Sequence, residues 1–223
     1  MQVIYHGHSF IEIERENSSI LIDPFVSHNP RCDITLDDII HKSITHILLT
    51  HVRDDSLDDI ITIVKSTWCI LVAITDICEI VQSHAIIEQN IISQSLDSIF
   101  TFEDWSVQFT KSLHDISTTG HSSGLIVDFL WIRIYHAGDT QLFDEMSEIQ
   151  DIDLALLPIG GTYTMGVEDA VKACWYIKPK TVVPIHYNTN STLKADDIEF
   201  ARQVMLAQYA VPKVLRAGQY IVL

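Results

Sequence analysis

Leu48-Leu49-Thr50-His51-Val52-Arg53-Asp54-Asp55-Ser56 is the stretch on which the reading of this chain turns. The apolar run Ile47-Leu48-Leu49 stops at Thr50. A histidine, an arginine and two aspartates then crowd into a short turn before the apolar-periodic segment Leu57 to Val64 begins. A β-run that passes through a polar turn into a helix delivers side chains to the strand's carboxyl end, where loops on a rigid scaffold carry chemistry. Three further β-like runs end in the same way, at Leu113-His114-Asp115, at Tyr135-His136-Ala137-Gly138-Asp139-Thr140 and at Val182-Val183-Pro184-Ile185-His186-Tyr187. Imidazoles and carboxylates brought to four strand ends are the donor set of a metal site.

Outward from that stretch, residues 2–5, 10–13 and 19–22 alternate or run apolar between short Gly, Ser and Asn segments, which predicts an opening antiparallel meander. Strands are expected at 46–49, Cys69 to Ala73, 106–112, 124–129, 132–136, 154–157, 181–185 and 219–222. Helices are expected at 57–65, about 140–148, 167–177 and about 195–210. Ser83 to Ser98 is Ile-rich and turn-poor, and its pattern assigns no element. No repeat or low-complexity linker divides the chain, so one domain spanning 1–223 is expected.

With 223 residues, 47% hydrophobic composition and a mean hydropathy of +0.19, there is ample material for a core. A formal charge of −16 repels phosphate over most of the surface and argues against a nucleic-acid partner. The start, Met1-Gln2-Val3-Ile4-Tyr5-His6, lacks the basic and apolar regions of a signal peptide, and no apolar run approaches the ~20 residues of a membrane span. Cys32, Cys69, Cys78 and Cys174 form no C-x-x-C pair and read as buried free thiols of a cytoplasmic protein.

The spacing around His51 resembles the metallo-β-lactamase superfamily, whose signature after a strand is His-x-His-x-Asp-His, followed by a distant His, a distant Asp and a last His. His51 matches the first ligand, Asp55 the aspartate, His114 the distant His, Asp139 the bridging Asp and His186 the last His. Arg53 stands where the second His belongs and Ser56 where the third belongs. Tyr5-His6-Gly7-His8-Ser9, Ile22-Asp23-Pro24-Phe25, the run from Leu157 to Gly166 and Pro184 to Thr189 resemble one branch, the bacterial metal-dependent hydrolases similar to L-ascorbate-6-phosphate lactonase.

The resemblance implies an α/β fold, the four-layer αββα sandwich. It also implies a metal-activated water acting on a lactone, ester or phosphodiester. The implied cofactor is a divalent metal, zinc first and manganese or iron as alternatives, as one or two ions or none. The implied partner is an anionic small-molecule substrate, with homo-oligomers known in the branch and no membrane or nucleic acid involved. The metal ligands would be His51, Asp55, His114, Asp139 and His186. Asp55 or Asp139 would take the proton from water, and Arg53 and His8 would bind substrate.

Each of these residues has a simpler reading. Asp55 or Ser56 could cap the following helix, Asp139 could cap a helix starting at Thr140, His51 could be a hydrogen-bonded structural histidine, and His121 competes with His114 for its role. Asp23 would orient the His51 turn or merely precede Pro24 in a turn. The Gly160-Gly161-Thr162 to Met165-Gly166 run, ahead of a helix, offers backbone N–H groups to an anion. Arg53 carries a permanent positive charge next to the expected metal, and pairing it with Asp55 would remove that carboxylate from the ligand set. The alternative to the enzyme is therefore a degenerate, non-catalytic relative that serves as a ligand-binding or assembly module.

Overall fold

Val3 and Tyr5 are buried while Gln2 and Ile4 are half exposed, the period-two pattern of a strand with one face on a core. The computed structural model describes residues 1–16, 18–84, 90–114 and 122–223. In chain order its first elements are β1 (Gln2–Tyr5), β2 (Ile11–Arg15), β3 (Ser18–Ile22), α1 (Leu36–Ile40), β4 (Ile44–Leu49), α2 (Asp54–Thr67), β5 (Ile70–Ile74), α3 (Thr75–Gln82) and β6 (Ile91–Gln94). They continue with β7 (Ile99–Thr101), β8 (Ser106–Thr110), β9 (Gly124–Asp128), β10 (Arg133–His136), β11 (Leu154–Pro158), α4 (Val167–Ile177), β12 (Thr181–Ile185), α5 (Asp197–Ala207), β13 (Val211–Pro212) and β14 (Tyr220–Val222).

The described residues divide into two compact units. The first holds Met1–Ser95 and Arg216–Leu223, and the second holds residues 96–114 and Ser122–Leu215. In the first unit seven described strands lie in the order β14-β1-β2-β3-β4-β5-β6, antiparallel from β14 to β3 and parallel from β3 to β6. In the second the order is β13-β12-β11-β10-β9-β8-β7, antiparallel from β7 to β10 and parallel from β10 to β13. The parallel strands β4, β5, β11 and β12 are almost wholly apolar, as strands covered on both faces are. In each unit the candidate residues follow the carboxyl ends of such strands: Asp23 after β3, His51 after β4, Asp139 after β10 and His186 after β12. Open α/β sheets receive ligands at those ends.

The second unit's core gathers Tyr135, Phe143, Met146, Leu157, Cys174, Phe200 and Val204 between its sheet and α4 and α5. In the first unit a charged cluster is built into the core. Glu12, fully buried, accepts from Lys42 at 2.6 Å and Ser19 at 2.5 Å, and His6 bridges it at 3.1 Å to Asp33 at 2.8 Å. Burial alone would push the Glu12 carboxyl up, but the hydrogen bonds from His6, Lys42 and Ser19 and the Lys42 charge hold it down at about 2.

Most expected strands and the helices at 167–177 and near 195–210 are present. Two differences bear on the site. The helix expected from 57 begins at Asp54 as α2, because Arg53 in extended conformation acts as its N-cap residue and Asp54 and Asp55 fill the first turn, where acidic groups favour the helix dipole. The helix expected over 140–148 is reduced to a 3-10 turn at Asp144–Glu148. Thr140 and Gln141 spend their backbone and side-chain groups on other segments: the Thr140 hydroxyl accepts from Leu113 N, its carbonyl accepts from Met165 N, and Gln141 N donates to the Leu113 carbonyl. Within Ser83 to Ser98, β6 pairs with β5, and residues 85–89 lie outside the described residues. The short α1 and the apolar α3 carried too little pattern to be expected, although Thr35 and Asp38 form a capping box at α1.

Candidate functional site

The side chains that matter in the first unit converge on a pocket of about 10 Å³ lined by His8, Ser9, Asp23, Phe25, Leu49, His51, Arg53, Ser56 and Ile60. A volume of that order holds about one water or ion. Asp23 fixes its floor. Its carboxylate accepts from the Thr50 backbone N–H at 2.8 Å and the Thr50 hydroxyl at 2.5 Å, and lies 3.7 Å from His51 Nδ1. Thr50 Oγ1 is also 2.9 Å from His51 Nδ1. The nitrogen of His51 that faces Asp23 and Thr50 is therefore Nδ1, and a metal bound by this ring would take Nε2, the usual arrangement of a histidine oriented by a carboxylate behind it.

Two residues of this wall hold left-handed backbone without being glycine, Asp23 at φ 47° and His8 at φ 56°, the latter edge-on to the Phe25 ring. Non-glycine residues in that region cost conformational energy and cluster where a site dictates the backbone. A residue that the sequence reading missed holds the same wall. Asp59, buried on α2, accepts from Val26 N at 2.8 Å, Ser27 N at 2.9 Å and the Ser27 hydroxyl at 2.5 Å. Its apolar-phase position on a helix, where an aspartate needs partners, was the available signal.

Arg53 and Asp55 form a two-pronged ion pair, with Nε and Nη2 each 3.0 Å from a carboxylate oxygen. The Ser56 hydroxyl donates back to the Arg53 carbonyl at 3.2 Å and closes the first turn of α2. Neither Asp55 nor Ser56 is the N-cap residue. Both Asp55 oxygens are thus engaged by a cation of the protein itself. A dication placed near the guanidinium would be repelled: two unit charges about 4 Å apart cost about 4 kcal/mol at an effective dielectric of 20, and a doubly charged ion doubles it.

In the second unit His186 Nε2 lies 3.2 Å from Asp139 Oδ2, both side chains buried. His186 is left-handed at φ 54°, and Gly160 makes room for it, since a Cβ there would stand 2.2 Å from the His186 carbonyl oxygen. Gly138 at φ 65° gives Asp139 its turn, and with no helix at Thr140 the capping role for Asp139 lapses. His114 follows the Ser112–Leu113 segment, which is tied to the Asp139 loop through the Ser112 hydroxyl on the Asp139 carbonyl at 3.0 Å and Leu113 N on the Thr140 hydroxyl at 2.9 Å. Asp115 and His121 lie outside the described residues. In the Gly160 to Gly166 run, expected to offer N–H groups to an anion, those of Gly161, Tyr163, Thr164 and Met165 donate to the backbone carbonyls of Met165, Gly161, Gly161 and Thr140.

The donor chemistry of His51 in the first unit, and of the Asp139–His186 pair in the second, is the imidazole and carboxylate kind that a divalent metal takes. Asp55 fits least, because a guanidinium already holds it. Among the described residues no group of three or more His, Cys, Asp or Glu side chains is arranged to hold a metal ion. No helix of the described residues is long and apolar enough to cross a membrane.

Comparison with known proteins bears on the whole chain. The family model "Beta-lactamase superfamily domain" matches residues 2–186. A UPF0173 metal-dependent hydrolase of Bacillus thuringiensis subsp. konkukian is 35% identical over 100% of both chains, and one of Natranaerobius thermophilus is 36% identical over 92% of this chain and 91% of the relative. Among solved structures, Igni18, a metallo hydrolase of the archaeon Ignicoccus hospitalis, matches with a TM-score of 0.90 at 30% identity over 99% of this chain and 97% of its own. The metallo-beta-lactamase fold protein YhfI of Bacillus subtilis matches with a TM-score of 0.79 at 12% identity, over 99% of this chain and 98% of its own. Through a family model that covers most of its length and relatives alike from end to end, this chain belongs to the beta-lactamase superfamily and has the metallo-β-lactamase fold.

Proposed function

We propose that this chain is a metal-dependent hydrolase acting on a lactone, ester or phosphodiester that carries an anionic group, with His51, His114, Asp139 and His186 as metal ligands. The observation that carries this reading is the buried His186–Asp139 pair at 3.2 Å, at the carboxyl ends of two parallel-sheet strands. The names of the relatives, metal-dependent hydrolases, support it. When bound, a divalent ion, zinc first by its preference for imidazole and carboxylate, acidifies a coordinated water and polarises the scissile bond. The chain's own residues do the rest. Asp139 takes the proton of the attacking water, a role that Asp55, engaged by Arg53, is less ready to fill. Arg53 and His8, on the wall of the same pocket as His51, hold the anionic group of the substrate.

The test is metal analysis of protein purified without added metal and again after reconstitution with zinc, manganese or iron, alongside turnover of a simple lactone, a nitrophenyl ester and a nitrophenyl phosphodiester. Bound metal and chelator-sensitive hydrolysis of one of these is the expected result. No metal uptake and no turnover would favour the second reading, a non-catalytic ligand-binding module, which the capture of Asp55 by Arg53 supports.

A further inference from the structure

The clearest departure from a metal-binding donor set lies in three side chains at the start of α2, Arg53, Asp55 and Ser56. Arg53 is the N-cap residue and Asp55 lies in the first turn, so the guanidinium folds over the turn and meets the carboxylate with two parallel N–H donors. This fork-to-fork geometry is the most directional contact a carboxylate makes with a side chain, and it matches arginine where lysine could offer only a point charge. Ser56 does not restore a ligand, because its hydroxyl is turned back onto the Arg53 carbonyl. The pocket that Arg53 and Ser56 share with His51 has a volume of about 10 Å³, room for about one water or ion.

We propose that Arg53 withholds Asp55 from metal, so that the protein binds a single divalent ion and the guanidinium supplies the second positive charge at this end of α2. The inference rests on the metal-dependent reading above and sharpens it, since it states how many ions are held and which carboxylate is not a ligand. Held by Asp55, the guanidinium is a fixed charge that needs no metal supply and does not exchange.

The experiment is a zinc and a manganese titration followed by direct metal counting on the full chain, with wild type, Asp55→Asn, Arg53→Gln and the double variant Arg53→His with Ser56→His, each checked for an unchanged melting transition. One ion per wild-type chain is expected. Asp55→Asn should leave the affinity for that ion within about threefold, because the carboxylate is not a ligand, and the double variant should rise towards two ions. Arg53→Gln, which frees the carboxylate without adding a ligand, should bind metal at least as well as wild type. Two ions in the wild type, or a loss of about tenfold or more in affinity on Asp55→Asn, would overturn the inference while leaving the hydrolase reading intact. No metal in any of the four proteins would overturn the hydrolase reading, and this inference with it.

Discussion

His186 Nε2 stands 3.2 Å from Asp139 Oδ2 with both side chains buried at the ends of β12 and β10. A buried imidazole beside a buried carboxylate is a donor pair that stability alone would not favour over apolar packing. If the pair serves a metal, His186→Ala and Asp139→Asn each abolish metal retention after gel filtration, and His114→Ala abolishes hydrolysis. Metal counting and turnover check this, and persistence of hydrolysis in His114→Ala would remove that residue from the ligand set.

Asp23 faces the Nδ1 side of His51 and binds Thr50, so a metal on His51 Nε2 would have Asp23 behind its ligand. Asp23→Asn should lower metal affinity by about 10–100-fold with little loss of fold, the usual effect of removing the partner that orients a ligating histidine. Competition titration with a chromophoric chelator measures it. An affinity equal to wild type would mean that Asp23 merely shapes a turn.

Gly160 is held against the backbone of His186, where an added Cβ meets a carbonyl oxygen that cannot swing aside as a flexible side chain could. Gly160→Ala should destabilise the fold by about 1–3 kcal/mol, as overpacking does, and weaken metal binding by displacing His186. Chemical denaturation with and without zinc separates the two effects.

Asp59 anchors the Val26–Ser27 turn with three hydrogen bonds while almost fully buried. Asp59→Ala leaves two backbone donors without their acceptor and should cost about 2–4 kcal/mol, since bonds to a charged group carry about 1.5–3 kcal/mol each and some of the loss is recovered by water. Urea denaturation reads it directly, and a loss below 1 kcal/mol, within the ordinary range of surface changes, would show that the turn holds without it.

Glu12 gives the protein an acid limit. Its carboxyl is held at about 2 in the folded chain against an ordinary value of 4.5. Because the folded value is the lower one, the stabilisation is fully present above pH 4.5 and fades as the pH falls from there through 2. At about 1.4 kcal/mol per unit the difference amounts to about 3 kcal/mol. Denaturation midpoints of wild type should fall across that window, and those of Glu12→Gln should fall less steeply. Parallel slopes would locate the acid sensitivity elsewhere.

The strand ends were legible in the sequence because apolar runs that stop at a histidine or aspartate are local signals. Ile47 to Thr50, Ile134 to His136 and Val182 to Ile185 all appear as expected. Asp59 and Glu12 were not, since a charged residue in an apolar phase shows that partners exist without saying which. The partners lie far off in the chain, Val26 and Ser27 for one and His6, Ser19 and Lys42 for the other. The expected helix at Thr140 failed for a similar reason. Its periodicity was adequate, but Leu113 and Met165, distant in sequence, took the backbone and hydroxyl groups that a helix would have used.

What the sequence determined by itself is the fold family; the donor residues it offers are candidates. Both follow from the order of strands, turns and polar residues, and that order is read along the chain. Only the tertiary structure decided that Arg53 holds Asp55, that His51 turns Nδ1 to Asp23, that Asp139 lies against His186 and that Gly161, Tyr163, Thr164 and Met165 donate their N–H groups to backbone carbonyls. The physical reason is competition. Each of these polar groups could be satisfied by several partners, and which one it takes depends on the distances that folding sets between residues, not on their spacing in the chain.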